Sequence, residues 1–304
     1  MQLFRHTLTI NFTKLFKISL STSLIIFLLS IAMIFVKGLG ESIDFKGGTT
    51  FNITFSQPID IAKFRVGLRD ELKQNVDVVH LKNGEETSEK MTILLKMKFG
   101  EYEEQLKTYF KNNYPYFIIN QETSIGPKIG DELKTSARNA IIISLLLIGF
   151  YIAIRFDRYY AIGSLVALLH DIMITVGIFS LLNIEISITI IAALLTIVGY
   201  SLNDTIVIYD RIRENMIKLY DKNKEEIINI SLNETLNRTF ITSFTTLIVI
   251  IILYFFGGDV LQPFALALII GVLIGTYSSI FIASPVMLYL EIKYPIPEIT
   301  DLEE

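Results

Sequence analysis

Six apolar segments recur along the 304-residue sequence, and they constrain the fold more than any other feature. A bilayer core of about 30 Å is crossed by a helix of about 20 apolar residues. Hydrophobic residues make up 51% of the chain, too large a share for a purely soluble protein. We therefore predict six transmembrane helices. The segments are Ile18–Phe35, Ala140–Ile154, Tyr159–Leu182, Ile186–Ile208, Thr239–Phe256 and Phe264–Leu290.

The distribution of Lys and Arg in the short connections predicts the orientation of these helices, because cytoplasmic loops are enriched in both residues. Basic residues precede the first span and lie between spans two and three and between spans four and five, whereas the turns Asn183–Glu185 and Gly257–Pro263 have none. We expect both termini to be cytoplasmic, in a multi-pass membrane protein. The basic residues are Arg5, Lys14, Lys17, Arg155, Arg158, Arg211, Arg213, Lys218, Lys222 and Lys224.

The polar segment 38–135 separates the first span (1–37) from the remaining five (136–304), and it is expected to fold on the extracytoplasmic side. Its alternation of strand and helix patterns predicts the β-α-β-β-α-β order of a ferredoxin-like α+β domain. The Asn83-Gly84 pair predicts the central hairpin turn. The predicted strands are Thr49–Phe55, Val76–Leu81, Met91–Phe99 and Tyr116–Gln121, and the predicted helices are Ile59–Lys73 and Tyr102–Lys111.

The cytoplasmic connection 210–238 has apolar residues at near-helical spacing among charged ones. This pattern is typical of amphipathic helices, and we expect them to lie in the plane of the membrane interface.

Two ionisable residues lie near the middle of span three. Asp171 is twelve residues from Tyr159, or roughly 18 Å along a helix, and His170 precedes it. Ionisable side chains at this depth are energetically costly and commonly functional. Asp171 is a candidate for proton coupling or for a structural hydrogen bond between helices, and His170 for proton coupling or for packing.

Span four contains a polar stripe near its cytoplasmic end. Ser201, Asp204 and Thr205 share one helical face, with Asn203 beside them, so this face must contact other helices or a wet cavity. A lone buried carboxylate takes up a proton rather than stay charged. Asp204 is therefore our leading candidate for a proton carrier.

Span five opens with Arg238, followed on one face by Thr242 and Thr245. Arg238 is expected at a depth similar to that of Asp204, which makes an ion pair possible; the alternative is an arginine extending to lipid headgroups. In span six, Gly271 and Gly275 form a small-xxx-small pattern that predicts close helix packing.

The motifs around these residues resemble those of the SecF family of protein-export proteins. The string Tyr200–Asn215 reads YSLNDTIVIYDRIREN. Three shorter segments agree, namely Asp44–Thr49 (DFKGGT), His170-Asp171 and Asn237–Ser243 (NRTFITS). The resemblance covers nearly the whole chain, and its small departures at Lys46 and Tyr209 spare the buried polar residues.

The resemblance implies one half of a transporter of the resistance-nodulation-division type, using the proton gradient to assist late steps of protein export. The implied partners are SecD, YajC, the SecYEG translocon, the exported polypeptide and membrane lipid. In this family pattern, Asp204 is the proton-coupling aspartate and Arg238 its partner arginine.

Other functions are less consistent with the sequence. The net charge of −4 provides no basic surface for nucleic acid, the absence of cysteine excludes thiolate chemistry, and no metal or cofactor site is expected. We do not expect an enzyme. Two alternatives stay open at this point: a small-molecule exporter of the same superfamily, and an intramembrane serine hydrolase with Ser201 as nucleophile and His170 as base.

Overall fold

The computed structural model describes residues 10–72, 77–81, 91–98, 102–114 and 116–294. Within that part of the chain, six helices are long and apolar enough to cross a membrane, as predicted. They are α1 (Phe12–Lys37), α5 (Pro127–Arg155), α6 (Arg158–Leu182), α7 (Ile188–Lys218), α8 (Lys224–Phe256) and the sixth span, Val260–Lys293. Arg5, the Asn83-Gly84 turn and the predicted element ends at Lys73, Val76 and Phe99 lie outside the described residues.

Capping residues explain where the helices begin and end. Asp157 and Ser187 accept backbone N–H groups in the first turns of α6 and α7, and Asn223 does so for α8. Asn183 ends α6 in the left-handed conformation, with φ of 55°. The connections between these helices are short, so consecutive spans run side by side in opposite directions.

The bundle has three central and three peripheral helices. About half of the apolar part of α6, α7 and the sixth span is buried, against 11–17% for α1, α5 and α8. Glycines permit close packing in the centre: a Cβ atom added at Gly271 would lie 2.2 Å from Ile197 Cγ1, and one at Gly275 would lie 2.9 Å from Ser201 Cβ. The inward-facing side chains of α6 and α7 are therefore enclosed by protein rather than lipid.

The sixth span is not a uniform α-helix. It consists of α9 (Gly258–Ser278), a π-helical turn (Ser279–Ala283) and α10 (Ser284–Lys293). Pro285 follows the π turn, and because proline has no N–H it cannot complete the regular hydrogen bond to the residue four before it. Such π turns occur frequently at functional sites.

The polar insertion forms the predicted β-α-β-β-α-β domain. Its four-stranded antiparallel sheet has the order β2-β3-β1-β4, and α3 and α4 pack on one face around Phe51, Ile53, Leu95 and Phe110. The elements are β1 (Gly48–Phe55), α3 (Ile61–Leu72), β2 (Asp77–Leu81), β3 (Met91–Met97), α4 (Glu103–Asn113) and β4 (Phe117–Ile125).

A Gly-Gly pair joins this domain to the membrane helices. After the short helix α2 (Ile43–Lys46), Gly47 has φ of 71° and Gly48 has φ of 155°. A Cβ atom at Gly47 would lie 2.9 Å from Pro127, and one at Gly48 2.8 Å from the Met97 carbonyl. Both the backbone conformation and the lack of space therefore require glycine here. Helix α5 begins at Pro127, so the last residues of the predicted 38–135 segment belong to a spanning helix.

Most of the segment 210–238 is helical, as its amphipathic spacing indicates, but its helices are extensions of two spanning helices. The first part of this segment continues α7 to Lys218, and the second begins α8 at Lys224. The two extensions pack on each other through buried apolar residues and through Asn215, whose amide donates to Ser231 Oγ at 3.0 Å. The charged residues thus form the outer surface of a helical hairpin. Such a hairpin has the same amphipathic pattern as a helix that lies on the membrane surface.

Candidate functional site

Asp171 is the centre of a buried polar network that joins the three central helices. Its Oδ2 atom accepts hydrogen bonds from Ser201 Oγ on α7 at 2.7 Å and from Ser278 Oγ on α9 at 2.8 Å. Its Oδ1 atom lies 3.2 Å from His170 Nδ1. Asp171 and Ser278 have no exposed surface, and Ser201 is 1% exposed. Asp171 therefore has a full set of partners in this conformation.

His170 faces the α1 side of the bundle. Its ring stacks on that of Phe27, with centroids 6.5 Å apart and planes 7° from parallel. Its Nδ1 atom meets Asp171, whereas Nε2 is buried with no hydrogen-bond partner among the described residues. The histidine thus packs against α1 and is also a hydrogen-bond partner of Asp171.

A second layer of hydroxyl groups lies next to this network. Thr205 Oγ1 and Ser279 Oγ are 2.8 Å apart, and Ser279 also donates to the Ser201 carbonyl at 3.3 Å. Ser279 is the first residue of the π turn. The irregular part of the sixth span therefore contacts the polar stripe of α7 directly.

Asp204 lies one turn beyond Ser201 on α7, in a much sparser environment. It is 3% exposed, and its one side-chain hydrogen bond in the described structure is a long contact of 3.5 Å from Ser243 Oγ on α8. Ser243 in turn pairs with Thr276 Oγ1 on α9 at 2.7 Å. The carboxylate of Asp204 is buried with little hydrogen bonding, in contrast to that of Asp171.

Arg238 lies on the outer side of α8. Its side chain is exposed, and no ion pair within 4.0 Å joins it to Asp204 in the described structure. Thr242 and Thr245 donate to carbonyl groups of their own helix, and Asn203 is exposed on α7. Arg238, Asn203 and Thr245 therefore face outward from this chain, whereas Thr242 is half-buried.

Sequence analysis missed several members of the network. They are Ser243, Thr276, Ser278 and Ser279. The available signal was spacing: Ser278 follows Gly275 by three residues, which places it on the same packed face of α9.

The arrangement does not provide a serine nucleophile. Ser201 lies within the unbroken helix α7, and its hydroxyl donates to Asp171 rather than to His170. A nucleophilic serine needs a base within hydrogen-bond distance of its oxygen. The hydrolase alternative therefore has no support from the geometry.

The fold and the site together define a class: a six-span membrane protein with an inserted ferredoxin-like domain and a buried polar network between its central helices. The family described as "Protein export membrane protein SecD/SecF, C-terminal" matches residues 105–293. The "SecD/SecF GG Motif" family matches residues 32–59, which include the Gly-Gly pair described above.

Individual relatives agree with this class. The chain is 44% identical over 280 residues to the protein translocase subunit SecF of Thermodesulfovibrio yellowstonii, covering 90% of this chain and 92% of that one. It is 42% identical over 281 residues to the same subunit of Rhodothermus marinus, covering 88% and 89%. The chain belongs to the SecF family.

Solved structures show the same fold. The crystal structure of SecDF, a translocon-associated membrane protein from Thermus thermophilus, matches 96% of this chain with a TM-score of 0.85 and 35% identity. A crystal structure of SecDF in a super-membrane-facing form matches with a TM-score of 0.71. The chain spans 40% of the length of each of these SecDF chains.

Proposed function

We propose that this chain is the SecF subunit of the bacterial protein-export machinery and that it uses the proton gradient to assist the outward movement of polypeptides. It works in the inner membrane with both termini in the cytoplasm, carrying out transport rather than chemical conversion of a substrate. A six-span SecD protein supplies the other half of the transporter. YajC and the SecYEG translocon complete the assembly.

The difference between the two buried aspartates supports a proton-carrying role for Asp204. Asp171 accepts hydrogen bonds from two serine hydroxyls and contacts His170, so its carboxylate is held by three helices. Asp204 is equally buried but has a single 3.5 Å contact. A buried carboxylate without strong partners changes protonation more readily than one with a complete set. Asp204 therefore carries the proton, and Asp171 holds the helices together.

Arg238 completes the proposed cycle from the outer face of α8. A positive charge near a carboxylate favours its ionised form. In the isolated chain Arg238 is exposed, which is costly for an arginine facing lipid and favourable for one facing a partner or water. The SecD half is therefore expected to cover Arg238 and Asn203 and to bring the guanidinium closer to Asp204.

The available energy is sufficient for such a cycle. One elementary charge crossing 100 mV gains about 2.3 kcal/mol. Conformational couplings between sites typically amount to about 1–3 kcal/mol. Protonation of Asp204 is thus able to shift the equilibrium between two arrangements of α7, α8 and α9. These three helices meet at Ser243 and Thr276.

The test is an export assay with the Asp204→Asn variant. Asparagine keeps the shape of the side chain and its contact with Ser243 but cannot carry a proton, so we expect normal assembly and loss of the export that depends on the proton gradient. Secretion of a reporter is measured with and without an uncoupler at matched membrane abundance. Asp210→Asn is the control, because Asp210 lies on the same helix in an exposed ion pair with Arg155. Full uncoupler-sensitive export by Asp204→Asn would refute the proposed proton carrier.

A further inference from the structure

A window of about 260 Å³ opens between α1, α6 and the sixth span, on the outer surface of the bundle. Leu24 and Leu169 at its rim are 58% and 47% exposed, whereas Ser23 and His170 at its floor are buried. The window is therefore an apolar recess with two polar side chains at its base. The rest of its lining is Leu20, Phe27, Val166, Ile282 and Val286.

Helix α1 contacts the bundle on both sides of the window and so limits its length. Toward the C-terminal end of α1, a Cβ atom added at Gly177 would lie 2.4 Å from Ser30 Cβ. Toward the other end, Phe12 and Phe16 are buried in the core of the bundle. The lining on α1 covers residues 20–27, or about 10 Å along the helix. A transmembrane helix crosses about 30 Å and cannot enter such an opening, whereas a small molecule can.

The floor of the window contains a hydrogen-bonding atom without a partner. His170 Nδ1 lies 3.2 Å from Asp171 Oδ1, and an ionised carboxylate only accepts hydrogen bonds, so we place the ring hydrogen on Nδ1. The other nitrogen of a neutral imidazole is then an acceptor. This atom, Nε2, is buried and has no donor in the part of the chain that the structure describes. Because the ring contacts Asp171 through Nδ1, Nε2 points away from Asp171, toward the window.

The depth of His170 restricts what can supply the missing donor. Helix α6 begins at Arg158, and His170 follows twelve residues later, or roughly 18 Å along the helix. This position is near the middle of a bilayer core of about 30 Å, where a phospholipid has acyl chains without a donor. A buried water needs two to four polar partners, and Ser23 already pairs with Tyr277 at 2.8 Å. The donor therefore belongs to an apolar molecule dissolved in the membrane.

We propose that the window binds a membrane-dissolved phenol, whose hydroxyl donates to His170 Nε2 and whose ring and apolar tail occupy the recess. A dry cavity of about 150 Å³ takes up a benzene ring, so the window has room for a substituted one. The His170 ring lies 6.5 Å from the rings of both Phe27 and Tyr277, and aromatic neighbours favour contact with a further ring. A bound phenol holds the imidazole that contacts Asp171, and this role is separate from proton transfer at Asp204.

The test is ¹⁵N NMR of this chain, labelled at histidine and assembled with its unlabelled partner subunit in lipid vesicles. The chain has three histidines, so His6 and His80 serve as internal references. The probes are para-nonylphenol and its methyl ether, which has nearly the same shape but no donor, together with nonanol, which has a hydroxyl but no ring. We expect hydrogen on Nδ1 of His170 before any addition. The phenol should then shift the Nε2 resonance of His170 in a saturable manner and leave those of His6 and His80 in place, and the other two probes should not.

A pair of substitutions locates the binding site. Val166→Phe fills the window from its α6 side, and Val249→Phe on the surface of α8 is the control, since the two valines are 40% and 66% exposed. The shift should be lost in Val166→Phe and kept in Val249→Phe. Equal shifts with the ether or with nonanol, hydrogen on Nε2 before any addition, or a shift that survives Val166→Phe would overturn the proposal. A hydrogen-bonded Nε2 that no probe changes would identify a bound water and would overturn it as well.

Discussion

Ser201 on α7 donates a 2.7 Å hydrogen bond to Asp171 on α6, and Asp204 follows Ser201 by a single helical turn. One face of α7 thus carries a fixed contact and, about 4.5 Å farther along the helix, a poorly bonded carboxylate. The fixed contact also involves Ser278 of α9, whose next residue begins the π turn. We therefore expect changes at Asp204 to be transmitted to the helices that the Asp171 network joins.

Removal of the Asp171 carboxylate is expected to destabilise the bundle. Asp171→Ala leaves the hydroxyls of Ser201 and Ser278 without their acceptor in a buried site. A buried group left unsatisfied costs about 1–3 kcal/mol. Ser243→Ala, which removes only the 3.5 Å contact with Asp204 and the bond to Thr276, should cost less. Thermal unfolding in a mild detergent measures both, and an equal loss for the two variants would contradict the ranking.

The sequence predicted the six spans and the order of the sheet elements because both follow from local periodicity. Hydropathy finds a spanning helix without reference to its neighbours, and alternation finds a strand. The π turn and the partners of Asp171 depend on which faces of distant helices meet, and one sequence does not contain that information directly. The same holds for 210–238, where an amphipathic pattern is compatible with a membrane surface or with another helix. Whether Arg238 pairs with Asp204 likewise depends on a partner that is not encoded in this chain.

The glycines of the bundle provide a matched pair of substitutions. A methyl group at Gly271 would lie 2.2 Å from Ile197 Cγ1, so Gly271→Ala must separate α9 from α7. Overpacking of this kind costs about 1–3 kcal/mol. Gly199 has no neighbouring atom within 4 Å of the same added group, so Gly199→Ala should be neutral or stabilising through helix propensity. Unfolding of the two purified variants under identical detergent conditions checks the difference; similar values would show that α7 and α9 adjust freely.

The orientation of the protein is directly testable with reporter fusions. The connection 155–158 and the α7–α8 hairpin carry most of the basic residues in short loops, so we expect both on the cytoplasmic side. A phosphatase that is active only outside the cytoplasm should therefore be active when fused after Asn83 and inactive when fused after Lys222. The reverse activities would invert the proposed topology.

Substitutions of Arg238 distinguish the effect of its positive charge from the effect of its guanidinium shape. Because its side chain makes no ion pair within 4.0 Å of Asp204 in the described structure, the effect that we propose for its charge on that carboxylate must act through space. An interaction of this kind depends on the positive charge more than on guanidinium geometry. Arg238→Lys should therefore retain part of the proton-dependent export, and Arg238→Met should lose it while still assembling with its partner.

The double variant Arg238→Met with Asp204→Asn should be no worse than either single variant, because residues that act in one step are not additive. Export with and without an uncoupler is the measurement, and co-isolation with the SecD subunit is the control for assembly. If lysine and methionine abolish export equally, Arg238 acts through specific hydrogen bonds made by its guanidinium in the complex. If both retain it, the charge on α8 has no part in the cycle, and Asp204 exchanges its proton without an arginine.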